Sequence, residues 1–204
     1  MTKNRYLAVA GNIGSGKSTL VQFLANQYGF RAFLEPNDEN PYLEDFYRDM
    51  QQYAFHSQVF FLTHKFRLHQ ELEGQTGPVV LDRTLYEDAE IFAASLYESG
   101  KFSERDYELY RALYRNMCRS LRPPDLLIYL RCPLATLKKR IFIRNRKMEQ
   151  DIPTVYLKNL QKKYDDWIKR YDQGELIVLE TDKLDYTSDL IDRIDVMKRI
   201  EQFL

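Results

Sequence analysis

An α/β fold with a five-stranded parallel sheet, covered by helices on both faces and carrying a helical lid, is predicted by three features of the 204-residue chain. Short apolar or aromatic runs alternate with longer segments of helical spacing, as strand–helix–strand units require. The first run, Tyr6-Leu7-Ala8-Val9-Ala10, leads into Gly11-Asn12-Ile13-Gly14-Ser15-Gly16-Lys17-Ser18-Thr19, which reads G-x-x-x-x-G-K-S. An amphipathic segment over residues 17–28 follows that loop directly.

Such a loop has a mechanism. Glycines at positions 11, 14 and 16 let successive backbone N–H groups turn inward around phosphate oxygens. Lys17 adds a point charge near the outer phosphates, and the Ser18 hydroxyl is placed to ligate Mg²⁺. The helix beginning at Lys17 directs its positive dipole end at the same anion. A glycine-rich turn without a ligand would also fit the pattern, but the flanking strand and helix favour a nucleotide site in a three-layer P-loop NTPase fold.

The remaining strands are expected at residues 31–34, 78–81, 126–130 and 176–179, each short, branched or aromatic and bounded by Gly, Pro or charged residues. Between them, residues 43–72 read as a short helix followed by a long one, and residues 86–121 as a helix broken at Gly100. Further helices are expected over 134–146 and 155–171. The last spans 188–204, where Leu190, Ile194, Met197 and Leu204 predict a core-facing stripe. With no internal repeat, low-complexity tract or linker, residues 1–204 are expected to form one domain, with a lid over about 140–153.

Composition narrows the function classes. Thirty basic and thirty acidic side chains cancel, which argues against a nucleic-acid partner. No apolar stretch approaches the roughly 20 residues needed to cross a bilayer. Met1-Thr2-Lys3-Asn4 runs into a strand without a signal peptide, so a cytoplasmic protein with no membrane partner is expected. Cys118 and Cys132 match no metal spacing and read as reduced thiols, and His56, His64 and His69 make no HExxH-like site.

Ligands of such sheets sit beyond the carboxyl ends of the strands. Strand two ends in Glu35-Pro36 and strand three in Asp82-Arg83-Thr84. Asp82 is placed to serve Mg²⁺, Arg83 to stabilise a transferred phosphoryl group, and Glu35 to take the proton of an attacking hydroxyl. Taken alone, Asp82 could equally form an ordinary salt bridge or cap a helix, and Glu35 could be a surface residue before a turn. The segment Arg140-Ile141-Phe142-Ile143-Arg144-Asn145-Arg146-Lys147 is either a solvated basic face or a mobile lid that closes over triphosphate, and Pro153 closing a short connector favours the lid. Tyr42, Phe46, Tyr47, Tyr53, Phe55, Phe60, Phe61 and Phe66 crowd the second helical segment around Gln58 and Lys65. Most read as core, but a minority suit a flat base whose edge Gln58 would read.

In this order GNIGSGKST, LEP, Tyr47 with Gln58 eleven residues on, DRTLYEDAEIFAASLYESG and RIFIRNRKMEQDIPTVYLKNL resemble the deoxynucleoside kinase family over nearly the whole chain. That family includes deoxycytidine and deoxyguanosine kinases and the bacterial deoxyadenosine kinases. The resemblance implies ATP as donor with Mg²⁺, a deoxynucleoside as acceptor, and a homodimer formed through helices around residues 51–72 and 86–121. It implies Glu35 as base for the 5′-hydroxyl, with Asp82 and Arg83 in the family's acidic–arginine motif. It further implies Tyr47 and Glu149 on the 3′-hydroxyl, Gln58 and Asp88 on the base edge, and Arg140, Arg144 and Arg146 as lid arginines.

This chain departs from the animal enzymes in carrying Asp82 and Thr84 where they mostly have Glu and Ser. It also carries Lys65 where the purine- and cytidine-preferring ones have a base-contacting arginine. An ionised Asp88 accepts only, which suits an exocyclic amine and leads to an expectation of deoxyadenosine first, then deoxyguanosine or deoxycytidine. Two alternatives stay open at this stage, a nucleoside monophosphate kinase of the thymidylate kinase kind and a non-catalytic nucleotide-binding homologue.

Overall fold

Side-chain alternation along strand β1 (Tyr6–Gly11) divides the core in two. Tyr6, Ala8 and Ala10 face one side of the sheet with Leu81 of β3 (Val79–Asp82) and Tyr129 of β4 (Leu126–Arg131). Leu7 and Val9 face the other with Val80 and Ile128. The computed structural model describes residues 5–182 and 190–202.

With β2 (Arg31–Phe33) and β5 (Glu175–Glu180), the strands form a five-stranded sheet in the order β2-β3-β1-β4-β5, every pairing parallel. All five expected strands are present, with ends shifted by one residue or so. The three central strands are buried on both faces, which is why they read as unbroken apolar runs.

Helix α1 (Lys17–Tyr28) covers the Leu7 and Val9 side through Leu20, Val21 and Leu24. Helix α9 (Leu190–Glu201) joins it there through Val196, Met197 and Ile200. The expected stripe of α9 is therefore rotated. Met197 is buried, but Ile194 is 46% exposed and Val196 and Ile200 take its place. Leu204, residues 188–189 and the side chain of Leu190 lie outside the described residues.

The opposite face carries the longer helices. Helix α2 (Leu43–Arg48) stops at Asp49, whose carboxylate accepts the N–H groups of Gln51 and Gln52 and starts α3 (Met50–Glu73). After β3, α4 (Leu85–Glu87), a π-helical turn (Asp88–Ala93) and α5 (Ala94–Glu98) run on in sequence. Gly100, at φ +69°, breaks this run as expected, and Ser103 caps α6 (Glu104–Cys118). Helix α7 (Leu134–Arg144) ends at Asn145 in the left-handed region, so it is two residues shorter than expected and Arg146 lies outside it. A 3₁₀ turn (Lys147–Glu149) and Pro153 then lead into α8 (Thr154–Lys169). Among the described residues no helix is long and apolar enough to cross a membrane.

Candidate active site

The loop after β1 wraps tightly enough to require its glycines. A Cβ on Gly11 would lie 2.5 Å from Ser15 Oγ, and one on Gly14 would lie 2.9 Å from both the Leu137 carbonyl and Ile141 of α7. Inside the loop Ser15 donates its N–H to the Asn12 carbonyl at 3.1 Å, and Lys17 Nζ donates to that same carbonyl at 3.1 Å. Lys17 is buried, and burial followed by the charge of Arg83 lowers its pKa to about 8. The charge of a phosphate anion would oppose this lowering. Asn12 turns its side chain away from the loop and donates to the Leu157 carbonyl of α8 at 3.0 Å, while its own Oδ1 accepts the Ile13 N–H. Ser18 and Thr19 are exposed at the start of α1, while the Ser15 hydroxyl is buried beneath the loop.

Asp82 stands at the end of β3 facing this loop. Its Oδ2 accepts the Ser18 hydroxyl at 2.5 Å, and its Oδ1 is buried without a partner. Burial raises the carboxyl's pKa despite the nearby Lys17, so the site disfavours an uncompensated anion. A carboxylate with an orphaned oxygen beside a hydroxyl fits Mg²⁺, which binds proteins through few oxygens and completes its shell with phosphate and water. No group of three or more His, Cys, Asp or Glu side chains suited to a metal occurs among the described residues.

Arg83 and Glu35 meet above the loop. Arg83 Nη1 donates to Glu35 Oε1 at 2.8 Å, and its guanidinium lies 4.3 Å from the Phe92 ring on the π-helical turn. Its backbone adopts φ +63°, a left-handed conformation costing a non-glycine residue on the order of 1–3 kcal/mol. The Glu35 and Phe92 contacts of its side chain work against that cost. Glu35 Oε1 also accepts Lys65 Nζ at 3.0 Å, and its Oε2 accepts Asn37 Nδ2 at 3.3 Å. Burial alone would raise the Glu35 pKa, but Arg83, Lys65 and Lys17 together hold it far below the usual carboxylate range. Glu35 is thus an ionised acceptor in the resting protein.

The same open cleft, about 580 Å³ including its solvent-facing part, is lined by Lys17, Ser18, Tyr47, Gln58, Asp88 and Glu149 among others. Asp88 projects from the first residue of the π-helical turn. Its Oδ1 accepts Lys65 Nζ at 2.8 Å while its Oδ2 is buried without a partner. Gln58 on α3 is 3% exposed and its Oε1 likewise has no partner. Two unanswered buried polar groups on facing elements mark a place for a polar ligand edge. Tyr47 lines the cleft at the end of α2, and burial followed by the charge of Glu149 pushes its phenol pKa up.

The structure separates the lid arginines. Arg144 and Arg146 both pair with the buried Glu149 and line the cleft. Arg140 does not join them. Its guanidinium donates to the carbonyls of Ser15 at 3.0 Å and Thr181 at 2.5 Å, so it ties the phosphate loop to the end of β5. In the resting structure Arg140 therefore stands apart from Arg144 and Arg146, bonded to the phosphate loop and to the residue after β5.

Two further residues, Glu87 and Asn37, take part in the site. Glu87 is fully buried and accepts the Gly11 N–H, the Thr84 N–H and the Tyr164 hydroxyl. The T-x-x-E spacing of Thr84 and Glu87 is a capping-box signal, and both arms of that box form. Asn37 had no signal. Lys65, expected where the resembling family carries a base-contacting arginine, bridges two carboxylates.

The family model described as deoxynucleoside kinase matches residues 7–204. The chain is 36% identical over 189 residues to the deoxyadenosine/deoxycytidine kinase of Bacillus subtilis (strain 168), covering 92% of this chain and 87% of that one. It is 33% identical over 208 residues to a deoxyadenosine kinase of Lactobacillus acidophilus, covering 97% and 95%. The solved structure of deoxyadenosine kinase from M. mycoides with bound dATP superposes with a TM-score of 0.85 at 29% identity, covering 96% of this chain and 99% of that one.

Proposed function

The chain belongs to the deoxynucleoside kinase family, and from that premise we propose that it transfers the γ-phosphate of ATP to the 5′-hydroxyl of a deoxynucleoside, with a purine preferred and deoxyadenosine first. Deoxyguanosine or deoxycytidine would follow. The observation that carries this reading is that Gln58 and Asp88, whose Oε1 and Oδ2 are buried without partners, line the same cleft as Lys17, Ser18 and Glu35. In this reading the donor and acceptor ends of one transfer site share the cleft.

In this scheme the loop N–H groups and Lys17 hold the triphosphate, and Lys17 leaves the Asn12 carbonyl for phosphate. Ser18 and Asp82 would hold Mg²⁺, which supplies charge compensation for the phosphate oxygens. Tyr47 and Glu149 receive the 3′-hydroxyl, while Gln58 and Asp88 receive the base. Glu35 accepts the 5′-hydroxyl proton as that oxygen attacks, and Arg83, already against Glu35, stabilises the charge on the moving phosphoryl group. Arg144 and Arg146, on a lid over about residues 140–153, close on the phosphates and exclude water. The reading extends to one domain over residues 1–204, a homodimer built on the helices at 51–72 and 86–121, a cytoplasmic location, and no nucleic-acid or membrane partner.

A direct test supplies ATP and Mg²⁺ with either deoxyadenosine or its monophosphate and separates the products. Formation of deoxyadenosine 5′-monophosphate is expected. Turnover of the monophosphate alone would replace this reading with a nucleoside monophosphate kinase. Competition among the four deoxynucleosides then ranks the bases.

A further inference from the structure

Lys65 has no exposed surface, yet its ammonium sits between two carboxylates with different duties, 3.0 Å from Glu35 Oε1 and 2.8 Å from Asp88 Oδ1. One is the proton acceptor and the other faces the nucleobase. We propose that Lys65 is a positioning residue coupling the base-reading end of the site to the proton acceptor, so that base identity is expressed in kcat as well as in KM. This rests on the deoxynucleoside kinase reading.

Electrostatics gives the coupling its direction. Glu35 Oε1 carries two cations, Arg83 and Lys65, and each makes it a weaker base. A base that donates an exocyclic N–H to the free Asp88 Oδ2 keeps Asp88 ionised. Asp88 then shares the Lys65 charge, and Glu35 retains basicity. A base presenting a carbonyl there requires Asp88 to donate, hence to be protonated. Lys65 then has Glu35 as its only anionic partner of the pair, binds it more tightly and lowers its readiness to accept a proton. Burial of both carboxylates makes the shared charge count for more than it would in water.

A merely structural Lys65 would neutralise two buried anions and influence folding and KM alone. The discriminating experiment is a double-mutant cycle read as kcat at saturating deoxyadenosine and ATP. In the wild-type background Asp88→Asn is expected to lower kcat roughly tenfold, since general-base efficiency follows basicity. In the Lys65→Met background the same substitution should lower kcat less than about threefold, a clear departure from additivity. Equal kcat losses in both backgrounds, or an effect of Asp88→Asn on KM only, would overturn the proposal.

If Lys65→Met does not fold, the wild-type protein still decides. Deoxyinosine, which carries a carbonyl where deoxyadenosine has its amine, should saturate with a kcat roughly tenfold lower. Equal kcat with a higher KM would overturn the coupling while leaving the kinase reading intact. Absence of any deoxynucleoside 5′-phosphate with wild-type protein would instead overturn the kinase reading, and the coupling with it.

Discussion

Glu87 accepts the backbone N–H of Gly11 at 3.3 Å from the far side of the phosphate loop, joining residues 76 apart in sequence. The same carboxylate accepts the Thr84 N–H at 2.8 Å and the Tyr164 hydroxyl at 2.8 Å. Four elements therefore converge on one buried side chain: β1 and its loop, the turn after β3, α4 and α8. Burial raises its pKa while Arg83 and the Thr84 N–H pull it down, so its donors are what make an ion tolerable there.

Replacing Glu87 by Gln keeps the shape but turns one oxygen into a donor that faces other donors. The expected loss is about 1–3 kcal/mol of stability, the cost of leaving a buried polar group unanswered. KM for ATP should rise as well, because the first N–H of the loop loses its anchor. Urea denaturation and steady-state kinetics check the two effects, and an unchanged midpoint would remove Glu87 from this role.

Glu35 offers the sharpest test of the chemistry. As general base its removal in Glu35→Gln is expected to cost about 10²–10⁴-fold in kcat. ATP affinity, measured by calorimetry, should change little, since no phosphate-loop group touches Glu35 directly in the resting structure. Undiminished turnover would mean that another group accepts the proton.

The strands, most helix spans and the loop were legible because each follows from a local pattern: short bounded apolar runs, a 3.6-residue period, and glycine spacing. Glu35 and Asp82-Arg83 were legible because strand ends in such sheets gather at one edge. What was hidden depends on partners that only the fold brings near. The contacts of Arg140 with the carbonyls of Ser15 and Thr181 join residues 125 and 41 apart in sequence. The π-helical turn that aims Asp88 leaves no mark in the apolar spacing, and Ile194 faces solvent because α9 is rotated by about one residue on the sheet.

His69 predicts how the fold responds to acid. It is buried edge-on to the rings of Tyr6 and Tyr86, its Nε2 has no partner, and burial followed by the charges of Lys65 and Arg122 lowers its pKa to about 3. The folded-state value lies below the unfolded one near 6.5, so the unfolded chain binds the proton first. Stability contributed by neutral His69 is full above pH 6.5 and is lost progressively as pH falls from there towards 3. His69→Phe should therefore flatten this decline, with a urea midpoint at pH 5 above that of the wild type. A parallel decline in both proteins would exclude His69 as its source.

The two arginines of α7 should behave differently. Arg140→Met removes donors from two backbone carbonyls and is expected to cost about 1–3 kcal/mol of stability. Arg144→Met breaks the pair between the partly exposed Arg144 and the buried Glu149, but Arg146 still contacts that carboxylate, so the midpoint should shift less than half as much. Its larger effect is expected on turnover, a fall of at least about tenfold in kcat/KM for ATP from the loss of a phosphate clamp. Thermal or urea unfolding alongside kinetics separates the two residues.

Asp88 sets an acid limit on substrate recognition. Burial lifts its pKa to about 6 and the neighbouring Glu35 adds to the rise, while Lys65 and Arg83 oppose it. Above pH 6 the carboxylate accepts an exocyclic amine, and below it the protonated acid offers a donor to a group that is itself a donor. KM for deoxyadenosine should accordingly rise as pH falls from about 7.5 to 5, giving kcat/KM an acid limb whose midpoint lies near the Asp88 value. For deoxyinosine, with a carbonyl at that edge, the same fall in pH should lower KM. Profiles of the two substrates that run in parallel would show that the acid limb belongs to another group, whereas profiles that cross would identify Asp88 as the residue reading the base.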